Sequence, residues 1–230
     1  MPIAANLKTI QQRMTAACAR SGRPAKSVRL LAVSKTVDSE RIAAAVAAGQ
    51  KLFGENYVQE FVAKQAELSA DLHWHFIGAL QSNKVKYLAG KVSMIHSVDR
   101  LSLAKEIDRQ WQHLNQRIDI LLQVNVGDET SKAGVAANDL ETLVRAVAAL
   151  PNLRVCGLMA LPPYSDDAEA TRPWFRQLRH LAAAIDALAL PGVEMSELSM
   201  GMSHDFEVAI EEGATLVRVG TALFGERVYS

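Results

Sequence analysis

Leu30-Leu31-Ala32-Val33-Ser34-Lys35-Thr36 is the stretch on which the reading of this chain turns. An apolar run of strand character ends abruptly in a single lysine. A lysine is rarely buried without a partner or a task. At the exit of a first parallel strand it stands where an α/β barrel keeps its chemistry. Burial there disfavours the ammonium form and lowers the pKa, making the amine a nucleophile able to form a Schiff base with an aldehyde. The plainer alternative is a lysine that caps the strand and reaches out to water.

Outward from this stretch the same unit repeats. Ile3, Leu7, Ile10, Met14 and Ala17 recur at helical spacing over 3–20, and Ser21-Gly22-Arg23-Pro24 stops that helix. After strand one (28–34), Asp38 and Ser39 offer N-caps to an Ala-rich helix that Gly49 closes. A short second strand (51–54) leaves Glu55 and Asn56 at its exit, and 58–68 reads as helix. Strand three (73–78) precedes Gln81-Ser82-Asn83-Lys84 and a short helix to Leu88. Strand four (92–96) leads to a helix capped by Asp99. Strand five (118–126) leads through a polar loop (127–137) to a helix capped by Asn138 and stopped by Pro151. Strand six (154–161), a loop and a long helix to Leu188 follow. Strand seven (193–199), a helix from Ser203 to Gly213, strand eight (216–219) and a last turn at 222–224 complete the series.

Eight strand–helix alternations behind one extra helix predict an α/β fold, a single (β/α)8 TIM barrel with an extra N-terminal helix. Strands apolar on both parities suit a sheet covered on both faces. No GxGxxG follows strand one, which argues against an open dinucleotide-binding sheet. No linker or low-complexity stretch interrupts the chain, so residues 1–230 are expected to form one domain.

The 230 residues are 49% hydrophobic and 22% charged, enough for one large core. Lys+Arg and Asp+Glu balance at 25 each, so no net field invites nucleic acid or an anionic membrane. No apolar run reaches the ~20 residues that a spanning helix needs. Cys18 and Cys156 lie far apart, in no metal-ligand spacing, and read as reduced thiols. The first six residues open an amphipathic segment rather than a secretory signal. A cytoplasmic protein is expected.

Two strand exits look like a phosphate cradle. Barrel proteins often seat a phosphate between the loops after strands seven and eight. Strand seven ends in Met200-Gly201-Met202-Ser203, where Ser203 reads as a helix N-cap with amides free for an anion. Strand eight ends in Gly220-Thr221, and glycine lets the backbone approach a phosphate closely. Ordinary capping and turn formation is the alternative. Arg218 interrupts the apolar run of strand eight, and a buried guanidinium needs a hydrogen-bonding partner, a carboxylate or a ligand. Pyridoxal 5'-phosphate (PLP) carries an aldehyde, a phosphate and a ring nitrogen, and would satisfy lysine, cradle and arginine together. An arginine at the ring nitrogen would leave the ring unprotonated and a weak electron sink, which points to restrained chemistry or to carriage.

Leu31-Ala32-Val33-Ser34-Lys35, Phe53-Gly54-Glu55-Asn56-Tyr57-Val58-Gln59-Glu60 and Trp74-His75-Phe76-Ile77-Gly78 resemble one family, the PLP homeostasis proteins, also called the YggS/PROSC family. So do Gly157-Leu158-Met159, Leu198-Ser199-Met200-Gly201-Met202-Ser203 and Val217-Arg218-Val219-Gly220-Thr221. The resemblance covers nearly the whole chain and implies the fold of the alanine racemase N-terminal barrel. It implies that Lys35 holds PLP as a Schiff base and that Ser203, Gly220 and Thr221 bind the phosphate. Arg218 is then the residue at the ring nitrogen, and Asn56, Met200 and Gly201 line the cofactor. The implied function is buffering PLP or delivering it to PLP-dependent apo-enzymes, with no defining turnover. His204 departs from the small or acidic residue the family leads one to expect, and would alter phosphate contacts or the local pH response.

The main rival is a PLP-dependent amino-acid racemase. That activity needs a second base, a tyrosine from a separate C-terminal domain, whereas only five residues follow Gly225. Tyr57, Tyr87, Tyr164 and Tyr229 are the tyrosines at hand, and a monomer is the expected state. A metal hydrolase on His73 and His75 lacks a completing cluster. The loops 127–137 and 162–173 read as lids, and Lys132 reads first as an ordinary exposed lysine, with a second, loosely bound PLP as the lesser alternative.

Overall fold

The computed structural model describes residues 2–69, 71–127 and 133–226. Lys132 therefore lies outside the described residues. The barrel strands are β1 (Arg29–Val33), β2 (Leu52–Glu55), β3 (His73–Phe76), β4 (Met94–Val98), β5 (Ile118–Asn125), β6 (Leu153–Ala160), β7 (Val193–Ser199) and β8 (Leu216–Val219). Every neighbouring pair runs parallel. The order is consecutive, and pairing of β8 with β1 closes the ring, with Leu31 opposite Arg218 and Ala32 opposite Val219. A closed parallel sheet needs a crossover on its outside after each strand, which the helices supply. These are α2 (Ser39–Ala47), α3 (Val58–Glu67), α4 (Leu101–Gln112), α5 (Leu140–Ala148), α6 (Arg172–Asp186), α7 (Phe206–Glu211) and the short α8 (Thr221–Phe224). A 3-10 helix, Ser82–Tyr87, takes the place of a helix between β3 and β4. A two-residue strand, Val135–Ala136, adds to β5 outside the ring.

The extra helix α1 (Ile3–Arg20) buries Leu7, Ile10, Met14, Ala17 and Cys18. It packs against α7, α8 and α2, across the junction of the last and first units. Burying the side chains of Leu7, Ile10 and Met14 contributes about 1.5–3 kcal/mol each. Arg13 fastens it with a bidentate pair to Glu207, at 2.7 and 2.9 Å, and the Asn6 amide donates to the Leu223 carbonyl at 2.9 Å.

Most of the core lies between barrel and helices. It includes Phe53, Phe61, Trp74, Trp111, Phe175 and Phe206. Inside the barrel a small separate cluster, Met94, Leu121, Cys156, Met159 and Leu216, fills part of the space. Buried polar groups, His75, His96, Ser199 and Arg218, are joined there by hydrogen bonds. The inward parity is thus not uniformly apolar, because this barrel carries a polar chain along its interior.

The element order and the strand positions follow the sequence reading, and β7 and β8 match it residue for residue. Three expected caps do not form. Asp99 gives its carboxylate to Arg100 at 2.6 Å, and α4 starts from Arg100 with no side-chain cap. Asn138 sits inside a 3-10 turn, Ala137–Asp139, ahead of α5. Ser203 is not the N-cap of α7, which begins after Asp205, and its hydroxyl is engaged elsewhere. Strand β4 lies two residues later than expected at each end, since the fully buried run is Met94 to Val98. Asp38 does cap α2, accepting from the Arg41 amide at 2.8 Å.

Candidate functional site

All eight candidate residues gather at the C-terminal end of the barrel, because parallel strands present all their exits at one face. Lys35 lies two residues beyond β1 and Asn56 one beyond β2. Met200, Gly201 and Ser203 follow β7, Arg218 is within β8, and Gly220 and Thr221 follow it. Lys35, Thr36, Arg41, Gly220 and Thr221 line a cavity of about 260 Å³. Ser203 is tied to this group through the Gly220 amide and Asn56 through Glu55, while Arg218 is bound to the Gly201 carbonyl.

The cradle is built by one cross-link. Ser203 Oγ accepts from the amides of Gly220 and Ala222, both at 3.3 Å. These bonds are at the long end of the range, so a charged oxygen is a stronger acceptor for the same amides. A helix-capping role would have tied this hydroxyl to its own loop, whereas it ties the β7 loop to the β8 loop. Gly201 is required by space and by backbone: its φ is +87°, and a Cβ there would lie 2.5 Å from Ala209 Cβ. Its carbonyl accepts from the Arg218 amide at 2.9 Å. Behind the cradle Asp205 is fully buried. One carboxylate oxygen accepts from the Met202 amide at 2.6 Å, while Oδ2 and the nearby His204 Nε2 have no hydrogen-bond partner. Desolvation pushes the Asp205 carboxyl up. The Tyr164 ring packs against His204 at a tilt, 5.1 Å between centroids, bringing the loop after β6 against that after β7.

Arg218 is buried on the inward face of β8. Its partners are neutral: Ser199 Oγ at 2.6 Å and the Ala160 carbonyl at 2.8 Å. Desolvation lowers its pKa to about 10, opposed by Asp205, so it keeps its charge at neutral pH. A guanidinium has five N–H donors, and these two bonds leave others to offer. The chain continues from Ser199 to His96 Nδ1 at 3.0 Å and from His96 Nε2 to His75 Nδ1 at 2.9 Å. Arginine only donates, so Ser199 Oγ accepts from it, and the neutral tautomers of the two imidazoles set the directions of the remaining two bonds. Both imidazoles are neutral: desolvation, then Arg29, holds His75 down to about 3, and desolvation, then His75, holds His96 well below its ordinary value. His73, at the other end of β3, is exposed. Among the described residues no group of three His, Cys, Asp or Glu side chains is placed to hold a metal ion.

The exit of β1 is held by a second polar cluster that sequence reasoning missed. Lys64 of α3 donates to the Ser34 carbonyl at 2.7 Å, to Glu55 at 2.6 Å and to Glu60 at 2.9 Å. Ser34 Oγ donates to Glu55 at 2.7 Å, and the Thr36 amide donates to Glu60 at 2.8 Å. Asn56 follows, its amide bound to Glu55 at 3.1 Å and its Oδ1 buried without a partner. A Cβ at Gly78 would lie 2.1 Å from the Asn56 carbonyl oxygen, so β2 and β3 exits touch through glycine. The spacing Glu60-x3-Lys64 was the available signal, but it reads as an exposed helix pair.

A lysine just past β1 and two cross-linked loops after β7 and β8 meet at the C-terminal mouth of a closed parallel barrel, which places the chain in the class of (β/α)8 proteins with the candidate site at the usual face. The chain matches the family described as alanine racemase, N-terminal domain, over residues 3–228. It is 51% identical over 227 residues, 97% of both chains, to the pyridoxal phosphate homeostasis protein of Aquifex aeolicus. The Escherichia coli protein of the same name is 43% identical over 232 residues, covering 99% of this chain and 98% of that one. Among solved structures, PipY of Synechococcus elongatus, with PLP bound, superposes with a TM-score of 0.85 at 41% identity, covering 97% of this chain and all of that one. Alanine racemase from Corynebacterium glutamicum shares the fold alone, at 16% identity, TM-score 0.74 and 61% of its length. The chain belongs to the alanine racemase N-terminal domain family, and within it to the pyridoxal phosphate homeostasis proteins.

Proposed function

We propose that this protein binds PLP covalently at Lys35 and buffers or delivers it, acting as a PLP homeostasis protein rather than as an enzyme. The observation that carries the reading is the conjunction of Lys35 with the Gly220 and Thr221 backbone in one cavity, with Ser203 joining the adjoining loops. The groups present fit the cofactor: a cradle of amides for a phosphate, an amine for an aldehyde, and a buried unpartnered Asn56 Oδ1 at the same mouth. When bound, PLP supplies an electrophilic carbon and an electron-withdrawing ring.

Lys35 is the amine that holds it. Ser203, Gly220 and Thr221 bind the phosphate, the backbone of Met200 and Gly201 lies along the cofactor, and Asn56 borders the ring. Arg218 is the donor for the ring nitrogen. Because Arg218 retains its own proton, it does not protonate that nitrogen, which keeps the ring a weak electron sink and suits a carrier. The reading takes residues 1–230 as one PLP-binding unit, cytoplasmic and monomeric, with PLP-dependent apo-enzymes as recipients. No described helix is long and apolar enough to cross a membrane.

Two assays test carriage against catalysis. The PLP-loaded chain is expected to reactivate a PLP-dependent apo-enzyme. Incubated with L-alanine in D2O it is expected to leave the α-proton unexchanged. Steady α-deuteration that is lost in Lys35→Ala would overturn the carrier reading in favour of a racemase.

A further inference from the structure

We propose that Lys64, Glu55 and Glu60 are positioning residues that clamp the backbone on both sides of Lys35 and so set the direction of its side chain. The inference rests on the reading of Lys35 as the PLP-binding lysine.

The geometry is specific to that residue. On its N-terminal side, the Ser34 carbonyl accepts from Lys64 Nζ and the Ser34 hydroxyl donates to Glu55. On its C-terminal side, the Thr36 amide donates to Glu60. Lys64 uses its three donors on Ser34, Glu55 and Glu60, which ties the two clamps into one body. Glu55 also accepts from the Asn56 amide. The exits of β1 and β2 and the face of α3 therefore share one hydrogen-bonded cluster, in which Ser34 and Glu55 are fully buried and Lys64 nearly so.

Two further observations point to positioning rather than to stability alone. Thr36 has φ of +60°, a left-handed conformation that is unfavourable for a β-branched residue and persists only where neighbours impose it. Burial of an ion triad contributes little net stability, because desolvation offsets the attraction. What such a cluster supplies is fixed geometry, and the atoms it fixes belong to the residues flanking Lys35. A lysine stem has four rotatable carbons, so anchoring its Cα and φ/ψ is how a fold aims the amine at a carbonyl held by a cradle on another loop.

The test uses Glu60→Ala. The Glu60 side chain is partly exposed, and its removal leaves Lys64 paired with Glu55, so the fold is retained. PLP is mixed with the full-length chain and adduct formation is followed by visible absorbance, with the modified residue assigned by borohydride reduction and peptide mass spectrometry. Thermal unfolding of the PLP-free chain gives the folded fraction. The expected result is capture slowed on the order of tenfold or more at unchanged folded fraction, with faster amide exchange at Thr36. Glu60→Gln, which keeps an oxygen for the Thr36 amide, is expected to recover most of the rate. Capture by Glu60→Ala at the wild-type rate, or a loss that only tracks the folded fraction, would overturn the clamp. A wild-type chain that forms no adduct at Lys35 would instead overturn the underlying reading, so the two failures are distinct.

Discussion

Acidification from about pH 8 to about pH 5 should cost this fold stability, because His75 is buried as a neutral imidazole between His96 and the barrel floor. Its pKa is held down to about 3, first by desolvation and then by the Arg29 charge. In the unfolded chain it titrates near 6.5. The unfolded state therefore takes up a proton that the folded state refuses. The stabilisation is complete above the unfolded value and is lost as the pH falls from there towards 3. At pH 5 the loss from His75 is about 2 kcal/mol, from ~1.4 kcal/mol per unit over about one and a half units. His96 shifts in the same direction and adds to it. The assay is urea unfolding, followed by far-ultraviolet circular dichroism across the pH range, for wild type and His75→Asn. Asparagine keeps a polar group that can donate to or accept from His96 but cannot titrate. The difference in unfolding free energy between the two proteins should shrink by about 2 kcal/mol between the two pH limits. A difference independent of pH would refute the neutral, buried assignment.

Two other substitutions probe the cradle. Gly201→Ala places a Cβ 2.5 Å from Ala209 Cβ at a φ of +87°, and should cost about 2 kcal/mol or more in chemical denaturation; an unchanged midpoint would contradict the packing described. Ser203→Ala removes the acceptor shared by Gly220 and Ala222. It should lower the stability of the PLP-free chain by only about 1 kcal/mol while weakening PLP binding about tenfold, measured by absorbance titration; equal affinity would remove Ser203 from the site.

Much of this arrangement is legible in the sequence because it is periodic or local. Alternating strands and helices follow from hydrophobic spacing. The closed barrel follows from their number, and Lys35 and Gly220 stand out as polar or flexible residues at strand ends. Ser203 reads as a cap in the sequence, whereas its hydroxyl joins two loops. Capping is a local pattern, and nothing local shows that the amides it meets lie 17 and 19 residues onward. Asp99 and Asn138 fail as caps for a related reason: a neighbouring arginine and a 3-10 turn compete for the same role. Lys64 was invisible because an i,i+4 pair on a helix is ordinarily a solvated feature, and only packing of α3 against the first two strand exits turns it inward. The chain from Arg218 through Ser199 and His96 to His75 joins four strands, β8, β7, β4 and β3. No spacing in the sequence announces a contact that depends on barrel closure.

The central claim is that Lys35 holds PLP. The most direct measurement is peptide mass spectrometry of the PLP-incubated protein after borohydride reduction, with Lys35→Ala in parallel. The account predicts a phosphopyridoxyl group on Lys35 and a visible absorption band, both absent from the variant. A colourless wild-type protein with unmodified Lys35, or a label that persists elsewhere at full occupancy in Lys35→Ala, would contradict it.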